Sequence, residues 1–200
     1  MTRIIDHHID CKLYEEQLVE KQIELIGSAT TLVIERLMKE FPESIDAQLA
    51  HFLKAPIVLD SYNFDPSLKD SKWTEKDLEI YQRLESIEGS GAIEDGKTQF
   101  ERLFNAITDQ DMNLKLGINN LLIKDFKTYF ILEAGKRGVG VGTIHVPLKV
   151  MLETYGINQM KEAMLQLMNE RGLAFYGILT NCRNQEIGEF TKEILLYHPL

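Results

Sequence analysis

The chain has 200 residues, of which 44% are hydrophobic and 26% are charged, so it is long and apolar enough for one large or two small folded domains. Its formal net charge of -9 argues against a nucleic-acid polymer as partner, because phosphates are neutralised by clustered lysines and arginines. No apolar run approaches the roughly 20 residues that span a bilayer, and Cys11 and Cys182 form no CxxC pair, which together predict a cytoplasmic protein.

The chain begins with a predicted strand and helix. The segment RIID predicts a short buried strand that ends in Asp6, and a loop that opens with two histidines follows it. The segment GSATTLVIERLMKEF has the apolar spacing of a helix, and Ser28 or Thr30 is placed to cap its start.

The next segments continue the alternation of helix and strand. Residues 44–55 predict a second helix that Pro56 ends. The apolar run that follows predicts a buried strand that delivers Asp60 at its carboxyl end. The sequence TEKD, which begins at Thr74, has the pattern of a capping box and predicts the start of a third helix. The first part of the chain is therefore predicted to be α/β.

A stretch without apolar periodicity, SIEGSGAIEDGK at residues 86–97, predicts a linker between domains over residues 1–85 and 98–200. Beyond it the pattern predicts two helices, two strands joined at Gly135–Gly138, two more helices and two further strands. In chain order these segments are TQFERLFNAITD, LKLGINNLL, FKTYFILEAGKRGVGVGTIHV, PLKVMLETYG, NQMKEAMLQLMNERG, LAFYGILTN and EILLY.

Acids and imidazoles follow two predicted strands. Asp6, His7 and His8 stand at the end of the first, and Asp60 stands at the end of the second. Ligands of parallel α/β sheets bind outside the carboxyl ends of the strands, and a mixture of carboxylate oxygen and imidazole nitrogen suits Mn²⁺ or a similar divalent ion. The alternative is that Asp60 caps a turn and that the two histidines belong to a partly exposed loop.

Other candidate residues have stronger structural explanations. The stretch GVGVGT lacks the ending of a Walker loop and lies in a predicted strand, which favours close backbone packing. Lys127 on its own pattern is a solvated strand lysine, and its neighbours Lys124, Lys136 and Arg137 suit an anion-facing cleft or a protected strand edge equally well. The single histidines His51, His145 and His198 have no partner at metal-ligand spacing, so structural or surface roles are expected.

Several motifs resemble one protein family in the correct order. IIDHHID resembles the signature of the DHH phosphoesterase superfamily, and GSATTLVIERL, APIVLDSYNFDPS and WTEKD are similar to later blocks of its exopolyphosphatase and prune-like branch. LLIKDFKTYF, GVGVGTIHVPL and LAFYGILTNCRNQEIGEFT resemble the DHHA2 domain that this branch shares with manganese-dependent inorganic pyrophosphatases. The resemblance implies an α/β fold in which a partial DHH-type parallel-sheet lobe precedes a smaller DHHA2 domain with a mixed sheet.

The resemblance also implies roles for particular residues. The first histidine of the DHH motif is a metal ligand in this family and corresponds to His7, while the motif's acid, Asp6, supports the metal shell. The Asp after the later apolar run is a further metal ligand and corresponds to Asp60. The second histidine lies near substrate phosphate and corresponds to His8, and a lysine of the pyrophosphatase branch that approaches phosphate corresponds to Lys127.

These roles imply a Mn²⁺ or Mg²⁺ cofactor and a small phosphate-containing substrate. The implied reaction is hydrolysis of phosphoanhydride bonds in pyrophosphate or short polyphosphate, with nucleotide phosphodiesters as a further substrate class. Two divalent ions in such sites hold phosphoryl oxygens and lower the pKa of a water molecule toward neutrality.

The sequence departs from the family pattern at its start and end. The D-x-D strand and the metal-bridging Asp of this family precede the DHH motif, which begins here at Asp6, and the basic motif that ends the pyrophosphatase branch is not found. We therefore expect any bound metal ion to be single, weakly held and largely hydrated. A partial gene model, a short isoform and a member without catalysis each account for this departure.

Two functions remain open at this point. The first is a phosphohydrolase of the exopolyphosphatase or prune type. The second is a noncatalytic module derived from this family, which binds a protein partner or an anion. A fragment without an independent role is the third possibility.

Overall fold

A computed structural model describes residues 2–12, 15–89, 92–131, 137–183 and 190–199. The chain divides into two compact units, Met1–Phe104 and Asn105–Leu200. Both combine helices with sheets, so the α/β class predicted from the sequence is confirmed. None of the helices in the described ranges is both long and apolar enough to cross a membrane.

The first unit combines a small parallel sheet with a helical layer. The strands β1 and β2 pair in parallel, with Ile4 opposite Lys21 and Asp6 opposite Ile23. The elements in chain order are β1 (Thr2–Asp6), β2 (Leu18–Ile23), α1 (Ala29–Glu40), α2 (Ala47–Asp60), α3 (Glu75–Glu88) and α4 (Gly96–Thr108), the last of which crosses the boundary between the units.

Helices α1, α2 and α3 share one hydrophobic core. Fully buried side chains from all three helices meet there, among them Ile34, Ile57, Val58 and Leu84. Each helix therefore buries one apolar stripe against the other two, as amphipathic helices do.

The segment before Asp60 is the largest departure from the predicted structure. Residues 57–59 were predicted to form a strand and instead form the end of α2, which continues through Pro56 to Asp60. The buried positions of α2 recur with helical spacing, because they are Ala50, His51, Lys54, Ile57 and Val58. Two of these positions, His51 and Lys54, are polar, so the apolar residues alone did not show the helical spacing.

Strand β2 was not predicted. Its sequence, LVEKQI, lacks a continuous apolar run because Glu20 and Lys21 lie in its middle. Both side chains are paired across the surface, Glu20 with Arg36 at 2.6 Å and Lys21 with Asp10 at 2.6 Å. The parallel partner of β1 is therefore β2.

The second unit is built on a mixed four-stranded sheet with the order β3-β4-β5-β8. Strands β3 and β4 are antiparallel, β4 and β5 are parallel, and β5 and β8 are antiparallel. The elements are α5 (Gln110–Lys115), α6 (Gly117–Ile123), β3 (Phe126–Ile131), β4 (Arg137–Ile144), α7 (Leu148–Arg171), β5 (Leu173–Thr180), β6 (Cys182–Arg183), β7 (Phe190–Thr191) and β8 (Ile194–Tyr197).

The predicted elements of this unit are present. Helix α7 is interrupted at Gly156, whose φ of 73° is non-helical, so it consists of the two helices that were predicted. Met160, Met164 and Met168 lie in the core. The first two residues of the predicted turn at Gly135–Gly138 lie outside the described residues and the last two begin β4, and the predicted linker at 86–97 contains the end of α3 and the start of α4.

The glycines of β4 allow the close packing expected for GVGVGT. A Cβ atom on Gly142 would lie 2.4 Å from the hydroxyl of Tyr176 and 2.8 Å from the carbonyl of Leu122. Those two groups form a buried hydrogen bond of 2.5 Å that joins β5 to α6. Glycine at this position therefore leaves room for the contact between helix and sheet.

Replacing Gly142 with alanine is expected to lower the free energy of unfolding of the second unit by about 1–3 kcal/mol, because the added methyl group displaces a buried hydrogen bond. Hydrogen exchange of the β4 amides would measure the loss. Gly177→Ala is the matched control, since its Cβ would come closest to the movable end of Leu196, at 3.3 Å, and would meet the carbonyl of Gly140 at an ordinary 3.8 Å. Equal effects of the two variants would contradict the prediction.

Candidate metal site

The acid and the two histidines meet at the carboxyl end of β1. Asp6 is the last residue of the strand, and its Oδ1 accepts hydrogen bonds from the backbone N–H of His7 at 2.7 Å and of His8 at 3.3 Å. The same oxygen accepts from His8 Nδ1 at 2.8 Å. The hydrogen bond from the His8 side chain is the main cause that holds the pKa of Asp6 below its ordinary value. A charged carboxylate therefore closes the strand, with Oδ2 left to contact a ligand.

The half-buried His7 ring is fixed by a second contact. Its Nδ1 lies 3.1 Å from the carbonyl oxygen of Ile26, just after β2. A carbonyl can only accept, so Nδ1 carries the proton and Nε2 of the neutral ring presents a lone pair. Histidine ligands of metal ions are oriented in this way by a hydrogen bond at the other nitrogen.

The donor set suits a divalent ion. Ligand atoms of Asp6, His7 and His8 lie within 4.8 Å of one another, and within the described part of the chain this group does not include Asp60. One carboxylate and two imidazoles match the mixed oxygen and nitrogen ligands of Mn²⁺ more closely than the oxygen ligands of Mg²⁺. The three residues therefore fit such an ion, with an incomplete ligand shell.

Asp60 lies at the end of α2 and bonds to the start of α1. Its Oδ2 accepts a hydrogen bond of 2.6 Å from the hydroxyl of Ser28. Ser28 follows Gly27 and Ile26, whose carbonyl holds His7, so the segment 26–28 contacts both predicted metal ligands. Ser28 occupies the N-cap position of α1, as predicted, but its side chain makes no cap hydrogen bond.

A buried acid from α3 performs the capping instead. Asp77 accepts hydrogen bonds from the N–H groups of Gly27 at 2.8 Å and Ser28 at 3.2 Å, and from the Thr31 hydroxyl at 2.7 Å. It also accepts from the N–H and hydroxyl of Thr74, in the capping box that TEKD predicted. Burial raises the pKa of Asp77, but these hydrogen bonds outweigh burial and lower it.

The lysines of the second unit differ in their surroundings. Lys127 lies on β3, its side chain is 64% exposed, and its ammonium is 3.9 Å from Asp125. Lys124 donates to the carbonyl of Ile107 at 3.0 Å and to Oδ1 of Asn113, and burial lowers its pKa. Lys124 therefore ties helices together, while Lys136 lies outside the described residues.

The three single histidines have structural partners. His51 bonds to Glu88 at 2.9 Å, and His145 Nδ1 lies 2.9 Å from the carbonyl of Asn181. The His198 ring packs on Phe175 with centroids 4.7 Å apart. These contacts agree with the roles expected from the sequence.

The sequence did not identify the groups that support the site. The carbonyl of Ile26 leaves no side-chain signal, and Asp77 was recognised only as part of its own capping box. A buried Asp in the first turn of one helix can use its second oxygen to cap another helix. This property of Asp77 is the sequence feature that could have indicated its role.

Comparison with solved structures defines the class of the fold. A crystal structure of a Methanococcus jannaschii protein assigned as a family II inorganic pyrophosphatase superposes with a TM-score of 0.63 and 18% identity. It matches 90% of this chain, which corresponds to 56% of that protein. The two proteins therefore share a mixed α/β fold. No family model matches the chain.

Curated sequences define the relationship more closely. The exopolyphosphatase PRUNE1 of Rattus norvegicus is 31% identical over 177 residues, which are 88% of this chain and 36% of that protein. PRUNE1 of Homo sapiens is 28% identical over 218 residues and matches 98% of this chain and 44% of that protein. The chain is thus homologous to the prune-like branch of the DHH phosphoesterases, and it spans less than half the length of these relatives.

Proposed function

We propose that the chain is a metal-dependent phosphohydrolase of the exopolyphosphatase or prune type, which acts in the cytoplasm on pyrophosphate or short polyphosphate. The supporting observation is the arrangement of Asp6 and His7. A charged carboxylate closes a parallel strand, and the adjacent imidazole is held with its Nε2 lone pair free. The names of the homologous exopolyphosphatases agree with this chemistry.

In this proposal Mn²⁺ or Mg²⁺ is held by Asp6 and His7 of the converging group and by Asp60, which lies outside that group. The bound ion supplies Lewis acidity toward the phosphoryl oxygens. The hydrogen bond that His7 Nδ1 donates to the Ile26 carbonyl keeps the ring in the tautomer that can ligate through Nε2. The hydrogen bond from Ser28 occupies one oxygen of Asp60 and leaves the other for a ligand.

His8 and Lys127 are the proposed groups for phosphate. The His8 side chain is 74% exposed and is held through Nδ1 by Asp6, so the imidazolium form of the ring would donate from Nε2 to a phosphate oxygen. The Lys127 ammonium, 64% exposed on β3, supplies positive charge that would compensate a phosphate chain. Water splits the phosphoanhydride bond, and pyrophosphate yields two phosphates.

We expect the purified chain to release phosphate from pyrophosphate or tripolyphosphate when Mn²⁺ is added, and to stop when the ion is chelated. We expect this dependence on Mn²⁺ because the ion neutralises negative charge on the phosphate groups that Lys127 alone cannot balance. Colorimetric phosphate release measures the reaction. Circular dichroism of the same sample establishes that the chain stays folded after chelation. Absence of release from pyrophosphate, tripolyphosphate and a cyclic nucleotide by the folded chain would contradict the enzymatic proposal.

The small number of converging candidate metal ligands favours a second candidate function, a noncatalytic binding module. Three candidate metal ligands converge in the described residues, whereas a two-metal hydrolase site needs more carboxylates and imidazoles. A noncatalytic module that binds an anion or a protein partner through the same surface would retain this geometry. It predicts weak Mn²⁺ binding without phosphate release, so the same assay separates the two functions.

A further inference from the structure

The segment 26–28 is a shared support for two proposed metal ligands. His7 donates to the carbonyl of Ile26 at 3.1 Å, and Asp60 accepts from the hydroxyl of Ser28 at 2.6 Å. One displacement of this segment would therefore turn the His7 ring and move the Asp60 carboxylate together.

The position of the segment is tightly constrained by the start of α3. A Cβ atom on Gly27 would lie 2.4 Å from the carbonyl oxygen of Lys72 and 2.9 Å from Cα of Trp73. Both are backbone atoms that a larger side chain could not push aside cheaply. Gly27 thus allows the segment to pack directly on the chain that leads into α3.

Asp77 holds the segment from the other side. Its residue is 1% exposed, and three of its five hydrogen bonds come from the segment and the first turn of α1. We infer that Asp77 is a positioning residue for the metal site, acting through Gly27 and Ser28 on His7 and Asp60. This inference rests on the proposed metal-binding function.

The chemistry requires a carboxylate at this position. Oδ1 accepts from Ser28 and Thr31, and Oδ2 accepts from Gly27 and Thr74, so every donor faces an acceptor. Asparagine has the same shape but places an NH₂ group against one set of donors. In Asp77→Asn the side-chain NH₂ group would therefore face backbone N–H donors of its present partners, and the substitution would leave no cavity.

The test measures Mn²⁺ binding to the full chain by the decrease of the free-ion signal in electron paramagnetic resonance. We expect Asp77→Asn to weaken Mn²⁺ binding about 10-fold to 100-fold, the range found when groups that orient metal ligands are removed. Ser28→Ala is expected to weaken it by a smaller factor. Their effects should be less than additive in the double variant, because both act on Asp60 through one segment.

A second measurement needs neither metal nor activity. Nitrogen-15 shifts of the His7 ring report its tautomer, and we expect a fixed Nδ1–H form in the parent chain and a mixed population in Asp77→Asn. If the parent chain binds no Mn²⁺, the proposed function fails, while the His7 shifts still decide whether Asp77 positions the ring.

Glu88→Gln is the matched control, because Glu88 is also buried on α3 but lies 11 residues, about 16 Å, along the helix from Asp77. It is expected to lower stability while the His7 shifts and Mn²⁺ affinity stay unchanged. Should Asp77→Asn fail to fold, Gly27→Ala displaces the segment directly and must change the His7 shifts. Unchanged His7 shifts and Mn²⁺ affinity in a folded Asp77→Asn chain would overturn the inference.

Discussion

Replacing Lys54 with methionine is expected to lower the free energy of unfolding by about 3–5 kcal/mol, the usual effect of removing one partner of a buried ion pair. Lys54 is 2% exposed and pairs with the carboxylate of Glu88, which also accepts from His51 at 2.9 Å. Glu88 is the last residue of α3, where the helix dipole disfavours negative charge. Without Lys54 the Glu88 carboxylate would stay buried with only the His51 contact, which does not replace the lost ion pair.

Denaturant titration followed by tryptophan fluorescence measures this effect, because the single tryptophan, Trp73, is buried in the same unit. Lys69→Met is the matched control, since Lys69 pairs with Glu75 at the surface and should contribute less than about 1 kcal/mol. Adding Glu88→Gln to Lys54→Met should recover part of the loss. A loss in Lys54→Met no larger than in Lys69→Met would contradict the prediction.

The pH dependence of this pair has a definite sign. Burial raises the pKa of Glu88, but the contacts with Lys54 and His51 outweigh it, so the pKa is lowered in the folded chain. A group whose pKa is lowered by folding stabilises the folded chain at pH values above its unfolded-state pKa. This contribution is lost as the pH falls through its folded-state pKa. Without Lys54 the carboxylate is more easily protonated, so the deficit of Lys54→Met should shrink as pH falls from 7 toward 4.

The same buried pair explains which part of the fold could not be predicted. The apolar residues of α1 and α3 recur with helical spacing, and both helices were predicted. In α2 the positions that face the core include His51 and Lys54, and both of these side chains contact Glu88 on another helix. The local sequence of α2 does not show that Glu88 is their partner. Pro56 and the apolar run after it therefore predicted a helix end followed by a strand.

The candidate site was predictable where its residues are adjacent in sequence. Asp6, His7 and His8 form one group because they follow a single strand. Their supports come from distant segments: Ile26 lies 19 residues from His7, and Asp77 lies 49 residues from Ser28. Such contacts depend on how α1 and α3 pack, which the pattern of each helix alone does not determine.

His7→Ala is expected to weaken Mn²⁺ binding about 100-fold or more and to abolish Mn²⁺-dependent phosphate release. The variant removes the Nε2 lone pair, whereas loss of a group that merely orients a ligand already weakens binding about 10-fold to 100-fold. Stability should change little, because the His7 side chain is half-buried and makes one hydrogen bond, to the carbonyl of Ile26. Mn²⁺ titration and phosphate release on the same preparation measure both effects.

His145→Ala is the matched control for this prediction. Its ring is also half-buried and also bonds through Nδ1 to a backbone carbonyl, that of Asn181 at 2.9 Å, but no acid accompanies it in a ligand group among the described residues. Loss of a histidine held in this way should leave Mn²⁺ binding unchanged. His8→Ala should lose phosphate release, because His8 is proposed to contact phosphate. Equal Mn²⁺ affinities of His7→Ala and His145→Ala would contradict a metal-binding role for His7.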